Sequence, residues 1–502
     1  MKRIITLLVS VITTLSALAT DYTDQLEVIV NGESATQNAT ISVTKQDDGK
    51  YTLSLKNFVL QSDDQTMGIG NITLTDIEGV EKDGVTTIKI NKSINITEGD
   101  DTSVGMWMGP MLGAVPINTV AELRGDKLYV VIDIDMMSSL QQIIKVVFGN
   151  GGYQLPNSGF ERFQSTGEPV AWHGFNTATG SFAGWAQGKV SQSDVVRPGS
   201  NGKSSALVKS GDVFGIVNNG TITTGRLNAG SMTAASTDNH ASLDMSVTAK
   251  DKNGDPYYTL LNARPDSIVV WVKFKQAKPN SEYPNATISA IITDGTYYQD
   301  PEDKTYNNKV AEARNKKVEQ KGGEWQRLSI PFAYYENSVQ PKAILVNAST
   351  NAGAGEGSSG DELYLDDLSL IYNHALTSLS IKSKSIELQE GVADYTLELT
   401  GDITEDDIVA TSDGQGAIIE KEISKEDNQT VVTVKVLSND LKESTTVKVT
   451  IPQTNAIHPS SVVPVAADEV YSIDGKRVNE TQTGRIYIKK GKNGTVKKVI
   501  RR

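Results

Sequence analysis

Short runs of alternating apolar and polar residues recur along most of this chain, and a period of two predicts β-strands. In the first 149 residues such runs include 26–30, 51–55 and 127–134. The dipeptides Asn31-Gly32 and Asp48-Gly49 separate successive runs, as in β-hairpins. Roughly eight strands of this kind suit an up-and-down antiparallel barrel, because a closed barrel leaves no unpaired sheet edge.

The middle of the chain, 150–373, has strand patterns separated by long loops. The runs are 205–209, 267–274, 287–292, 325–331, 343–348 and 363–370. Strands without intervening helices predict a two-sheet jelly roll. Within it, the polar stretch 300–323 is predicted to be an insertion with a short helical turn at 310–317.

Three further segments complete the predicted organisation. Residues 374–452 alternate over about eighty positions and fit a small immunoglobulin-like β-sandwich. Residues 453–469 contain prolines and small residues and are predicted to be a linker. Residues 470–502 form a separate C-terminal tail. The sequence therefore predicts an all-β, multi-domain protein.

Composition restricts the function classes. The formal net charge is −13 and the pI is about 5.0, which argues against nucleic acid as a partner. The absence of cysteine excludes disulfides, thiolate metal sites and cysteine nucleophiles.

The N-terminus has the features of an export signal over residues 1–19. Lys2 and Arg3 precede an apolar run at 4–12, and small residues end at Ala19. The run is too short for a transmembrane segment, and no later run approaches that length. The sequence therefore predicts export.

Residue motifs in three segments resemble known families. The stretches 30–34, 48–58 and 70–72 resemble the calycin-like (lipocalin-like) β-barrel domain of exported Bacteroides-type proteins, which implies a barrel over 20–149. Asn157-Ser158-Gly159-Phe160-Glu161 and the segments 324–328 and 360–370 resemble the "putative carbohydrate metabolism domain" of surface proteins from the same bacteria and, more distantly, jelly-roll carbohydrate-binding modules. That resemblance implies a role with sugars.

The tail is similar to the C-terminal sorting domain of type IX secretion. The resemblance is carried by 470–478, by Gly484-Arg485-Ile486-Tyr487-Ile488 and by the basic end 496–502. It implies that the outer-membrane secretion machinery is a partner and that the protein is extracellular or on the cell surface. Without a sorting signal, the protein would stay in the periplasm.

Three carboxylates are candidate ligands of a metal ion. In the jelly-roll modules that the central segment resembles, a structural cation joins the first and last strands, and here Glu161, Asp366 and Asp367 occupy those places. The resemblance thus predicts a structural calcium site, since calcium takes several oxygen ligands. The alternative is that these residues are exposed carboxylates at a strand end.

Four aromatic residues are candidates for binding sugar rings, which stack on flat apolar faces. Trp172 and Trp185 lie in glycine-containing, loop-like sequence, and Tyr297 and Tyr298 follow an Asp-Gly turn. Core packing is the alternative for each of them.

Catalysis has weaker support in the sequence. Glycoside hydrolysis needs two carboxylates about 5 Å or roughly 6.5–9.5 Å apart, and Glu161, Asp294, Asp361 and Glu362 belong to no catalytic motif. The four histidines are scattered, so neither a zinc site nor a serine triad is indicated. The leading hypothesis is a noncatalytic glycan-binding surface protein; a glycoside hydrolase and a structural or adhesive protein are the alternatives.

Overall fold

The described part of the chain forms two compact units. The computed structural model describes residues 19–452 apart from 62–65, 83, 187–188, 201, 252–253, 352, 354 and 427–428, and beyond them 469–472, 478, 486–490 and 496–500. The predicted export signal and linker lie outside these residues except for Ala19 and Glu469. The first unit is Met1–Asn373 with Gly414–Ala417 and Ser438–Glu443, and the second is the remainder.

Nine antiparallel strands form the N-terminal sheet of the first unit. They are β1 (Ala19–Val30), β2 (Glu33–Lys45), β3 (Tyr51–Gln61), β4 (Thr66–Ile77), β5 (Gly79–Lys82), β6 (Val85–Asn95), β7 (Ala114–Arg124), β8 (Lys127–Met136) and β9 (Gln142–Phe148). Their order, β4-β3-β2-β1-β9-β8-β7-β6-β5, follows the chain except where β9 returns to β1. At the first hairpin, Asn31 and Gly32 have φ of 51° and 93°, as a two-residue turn requires. The predicted up-and-down arrangement is confirmed.

The nine-stranded sheet curls around a single apolar core. Alternate residues such as Leu26, Val28 and Leu53 point into it. In the middle of the edge strand β4, Asn71 exchanges backbone hydrogen bonds of 2.9 and 3.1 Å with Thr97. Gly70 permits this approach: its φ is 124°, and a Cβ there would lie 2.1 Å from the Thr97 carbonyl oxygen.

The described residues of the central domain of the same unit form sixteen strands. They are β10 (Lys189–Ser193), β11 (Ser205–Lys209), β12 (Gly211–Val213), β13 (Ile216–Asn218), β14 (Thr221–Thr223), β15 (Arg226–Ala229), β16 (Asn239–Leu243), β17 (Thr259–Leu260), β18 (Ser267–Lys275), β19 (Ala286–Thr293), β20 (Tyr298–Asp300), β21 (Lys309–Val318), β22 (Gln326–Pro331), β23 (Ala333–Tyr334), β24 (Ala343–Ser349) and β25 (Glu362–Ile371).

The two main sheets of this domain have jelly-roll connections. One sheet is ordered β10-β11-β25-β18-β22, and the other is ordered β14-β24-β19-β21-β23 with β17 on β24. The chain passes from one sheet to the other between β18 and β19, β21 and β22, and β24 and β25, while the early strand β11 pairs with the last, β25. The smaller sheets are β12-β13 and β15-β16-β20. The predicted jelly roll therefore has the expected connectivity.

The predicted helical turn at 310–317 is wrong, because these residues lie in β21. Ala, Glu, Arg and Lys favour helices locally, but β21 pairs with β19 from Val318 to Lys309 and buries Val310 and Ala313. Packing against the neighbouring strand overrides a weak local preference. The described residues have 3₁₀ turns at Gly109–Leu112, Ala183–Trp185, Lys321–Gly323 and Glu405–Asp407.

The second unit contains a two-sheet sandwich. Its strands are β26 (Leu376–Ile381), β27 (Lys384–Ile386), β28 (Asp394–Thr396), β29 (Ile408–Ser412), β30 (Ile418–Glu426), β31 (Gln429–Leu437) and β32 (Ser444–Pro452). Sheets β27-β26-β29 and β28-β32-β31-β30 enclose an apolar core that includes Ile381, Val432 and Val449. Seven strands in two sheets agree with the predicted immunoglobulin-like sandwich.

The tail contributes a further antiparallel sheet. Its strands β33 (Glu469–Ser472), β34 (Ile486–Lys490) and β35 (Val496–Ile500) pair in chain order. In the part of the chain that the structure describes, no helix has the length and apolar character needed to cross a membrane.

Candidate functional site

A cleft of about 490 Å³ lies on the outer face of the six-stranded sheet. The side chains on this face change from apolar to polar along β19 and its partner β24. At one end, the facing residues Ile291 and Leu345 pack under the sheet β15-β16-β20. Further along the same face, the facing pair Ser289 and Asn347 is polar and lines the cleft. The cleft thus begins where the covering sheet ends.

A hydrogen-bond network centred on Asp300 fixes the base of the cleft. Arg314 donates from Nη1 to both carboxylate oxygens of Asp300, at 3.0 and 3.2 Å. Ser289 Oγ and Asn347 Nδ2 donate to Asp300 Oδ2 at 3.0 and 3.1 Å. We call these four residues the polar floor. Because they come from β19, β20, β21 and β24, the floor is held by the strands of the domain.

The charged groups of the polar floor are paired with each other. Burial by itself lowers the pKa of Arg314, but the charge of Asp300 and a 2.9 Å bond to Glu312 outweigh it and raise the pKa. Arg314 therefore stays protonated. Its Nη2 also donates to the hydroxyl of Tyr298 at 3.3 Å, whose pKa is raised chiefly by burial, so this tyrosine is neutral.

Two asparagines at the cleft have unused hydrogen-bonding capacity. Both polar atoms of the Asn218 amide and the side-chain oxygen of Asn219 are buried without a hydrogen-bond partner among the described residues. Asn219 Nδ2 donates to the Gly353 carbonyl at 2.8 Å, which orients that amide. Buried polar atoms in native proteins usually have a partner, so these amides can bond to water or to a ligand.

Exposed apolar side chains flank the cleft. Trp185 is 57% exposed and Phe214 73% exposed, with ring centroids 5.5 Å apart. Ile216 and Met232 are also exposed and line the cleft; we call the four residues the apolar rim. Phe214 and Gly215 form the turn between β12 and β13 with φ of 54° and 82°, a turn that favours Asn and Gly. A phenylalanine at this position exposes its ring to solvent and requires a strained backbone conformation. Strained backbone of this kind is common at functional sites.

The four aromatic residues predicted to bind a ligand fall into two groups. Trp172 is fully buried with its ring centroid 5.1 Å from that of Phe160, and Tyr298 is fully buried as well. Both are core residues in the structure, where a ring cannot stack against a sugar at the surface. Trp185 and Tyr297 are exposed, and neither is among the residues that line the cleft. Trp185 lies beside the cleft, because the next residue, Ala186, lines it.

Two of the predicted calcium ligands contact the same arginine. The backbone N–H of Arg197 donates to Asp366 Oδ2 at 3.0 Å, and its guanidinium pairs with Asp367. Strand β25 has one extra residue at this point of its pairing with β18, and Asp367 has a φ of 41°. Such a bulge breaks the alternation of side-chain directions, so adjacent aspartates can reach one partner.

The third predicted calcium ligand is engaged elsewhere. Glu161 accepts hydrogen bonds from the backbone N–H groups of Lys203 and Ser204 at 2.9 and 3.3 Å. Among the described residues, no three Asp, Glu or His side chains are grouped so that they could hold a metal ion. The calcium site stays a prediction. Burial raises the pKa of Asp366 to about 6 although the Arg197 N–H stabilises its charge.

The other carboxylates considered for catalysis are dispersed. Asp294 accepts hydrogen bonds from Thr296 in its own turn. Asp361 is buried and accepts from backbone N–H groups, and Glu362 pairs with Lys209 at 3.1 Å. None of these carboxylates lines the cleft.

Sequence reasoning missed the polar floor and most of the apolar rim. Asp300 and Arg314 lie in the stretch 300–323, which the sequence predicted to be an insertion. Their pairing depends on the folded structure and has no signature in the neighbouring sequence. Phe214 gave a usable signal: Phe-Gly stands at a hairpin turn where Asn-Gly is usual.

Comparison with known proteins supports the N-terminal assignment. Residues 18–151 match the calycin-like β-barrel domain. The match confirms the resemblance predicted for 20–149 and agrees with the curled nine-stranded sheet.

Among solved structures, one match is a crystal structure from Bacteroides thetaiotaomicron VPI-5482 described as a "putative glycoside hydrolase". The two proteins are 12% identical, the alignment covers 69% of this chain and 84% of the other, and the TM-score is 0.28. A TM-score this low does not establish a common fold. No curated protein sequence matches the chain.

Proposed function

We propose that the central jelly roll binds a glycan in the cleft without cleaving it. The observation that carries this proposal is the combination of a polar floor with an exposed apolar rim on one face. A sugar ring has an apolar face that packs on aromatic side chains and hydroxyl groups that need hydrogen-bond partners. The rim offers the first, and the Asn218 amide and the side-chain oxygen of Asn219, which have no partner among the described residues, offer the second.

The charges of the cleft favour binding over hydrolysis. Hydrolysis uses two carboxylates on either side of the scissile bond, and Asp300 is the only carboxylate among the described residues that line the cleft. Both of its oxygens accept hydrogen bonds from Arg314. These bonds hold the Asp300 side chain in the floor of the cleft, and no second carboxylate among the described lining residues faces it.

Calorimetric titration of the full chain against a panel of neutral and anionic polysaccharides tests the proposal. Reducing-sugar release is assayed in parallel. We expect binding without release, and we expect Phe214→Ala to weaken it. Met111→Ala is the matched control, because Met111 is a similarly exposed apolar residue in the N-terminal domain. Release of sugar would make the protein a hydrolase, and absence of binding to every polysaccharide would refute the proposal.

We also propose that the protein is exported and displayed at the cell surface, on the strength of the 1–19 and 470–502 sequence features. Deletion of 470–502 in a host with type IX secretion should leave the protein in the periplasm, as fractionation would show. Surface display of the truncated chain would contradict this assignment.

A further inference from the structure

Two cationic side chains of β21, Arg314 and Lys316, line the cleft. Arg314 is committed to carboxylates, because it bonds to Asp300 and Glu312. Lys316 is exposed and forms no ion pair with a described residue. It is thus the one described cation of the cleft whose charge no protein carboxylate balances.

The formal charge of the cleft differs in sign from that of the chain. Among its described lining residues, the one carboxylate, Asp300, is outnumbered by two cationic side chains, Arg314 and Lys316. The chain carries −13. Glu312 bonds to Arg314 at 2.9 Å and offsets part of the positive charge, and the Glu356 carboxylate lies beside Gly353 of the lining. The inference therefore rests on Lys316 and not on the net charge.

We propose that the cleft selects an anionic glycan and that Lys316 binds its carboxylate or sulfate group. This inference rests on the proposed function and specifies the class of ligand. The lysine ammonium is a compact charge with three rotatable donors, which suits either anion. Asp300 is the only carboxylate among the described residues that line the cleft, and both of its oxygens accept hydrogen bonds.

Pairs of polysaccharides that differ only in charge test the inference. Polygalacturonate against its methyl ester probes a carboxylate, and dextran sulfate against dextran probes a sulfate. The full chain should bind the anionic member of at least one pair about tenfold more tightly, as one charge-assisted contact implies. The pair that shows the preference identifies the anion.

Two lysine variants separate a specific contact from general attraction. Lys316→Gln should weaken binding of the anionic glycan about tenfold and leave its neutral partner unaffected. Lys317→Gln is the matched control, because Lys317 is the next residue of the same strand, is exposed and does not line the cleft. It should change affinity by less than about twofold, as expected for an exposed charge outside the cleft.

Three results would overturn the inference. Equal affinity for the charged and neutral members of both pairs would leave the proposed function standing but remove the anionic preference. Equal loss in Lys316→Gln and Lys317→Gln would show a nonspecific polyelectrolyte effect. Failure to bind any polysaccharide would refute the proposed function together with this inference.

Discussion

Single replacements of Trp172 and Trp185 by alanine test whether the first is a core residue and the second a ligand-binding residue. Trp172 is fully buried and its indole N–H donates to the Pro156 carbonyl at 2.9 Å. Truncating a buried tryptophan typically costs about 3–5 kcal/mol of unfolding free energy. In a domain of 150–250 residues, each kcal/mol corresponds to about 2–4 °C. Trp172→Ala should therefore lower the melting temperature of the central domain on the order of 10 °C.

Trp185→Ala should leave stability nearly unchanged and weaken ligand binding. Its ring is 57% exposed and touches Phe214, and exposed substitutions usually change stability by no more than about 0.5 kcal/mol. Loss of one aromatic face against a sugar should weaken binding by about 1 kcal/mol, or severalfold to tenfold.

Differential scanning calorimetry of the full chain measures stability, because it can resolve the transitions of separate domains. Isothermal titration with the best polysaccharide measures affinity. The reasoning is refuted if Trp185→Ala destabilises the domain as much as Trp172→Ala does. It is also refuted if folded Trp172→Ala loses affinity while Trp185→Ala retains it, since the buried ring would then be the one that contacts ligand.

Three further predictions concern pH, the barrel and calcium. The pKa of Asp366 rises from 3.8 to about 6 on folding, so the folded state binds an extra proton between those values. Stability should therefore fall by about 2 kcal/mol as pH rises from 4 to 6. Asp366→Asn should remove this pH dependence in denaturant titrations at the two pH values. Gly70→Ala should destabilise the N-terminal barrel more than Gly32→Ala in the same titrations. Both glycines have positive φ, but only a Cβ at Gly70 would clash with the backbone, at the Thr97 carbonyl oxygen. Equal losses of unfolding free energy in the two variants would show that the close approach at Gly70 does not matter. Calcium bound at the predicted site should raise the melting temperature of the chain, and Asp367→Asn should abolish that rise. The absence of a rise would show that Asp367 stays paired with Arg197.

The sequence by itself determined most of the strands and the all-β class. Alternation with a period of two is a local property, and in the runs 51–55 and 267–274 it reflects which residues lie in the core. Hairpin turns such as Asn31-Gly32 are local as well, because they require positive φ. Local preference failed at 310–317, where a neighbouring strand decided the conformation.

Only the tertiary structure decided where the site lies. Trp172 and Trp185 occupy similar loop-like sequence, and packing alone buries the first and exposes the second. Asp300, Arg314 and Asn347 are separated along the chain and meet because β20, β21 and β24 cross one face of the domain. A cleft is a property of side chains brought together by strand pairing, so no local pattern in the sequence can specify it.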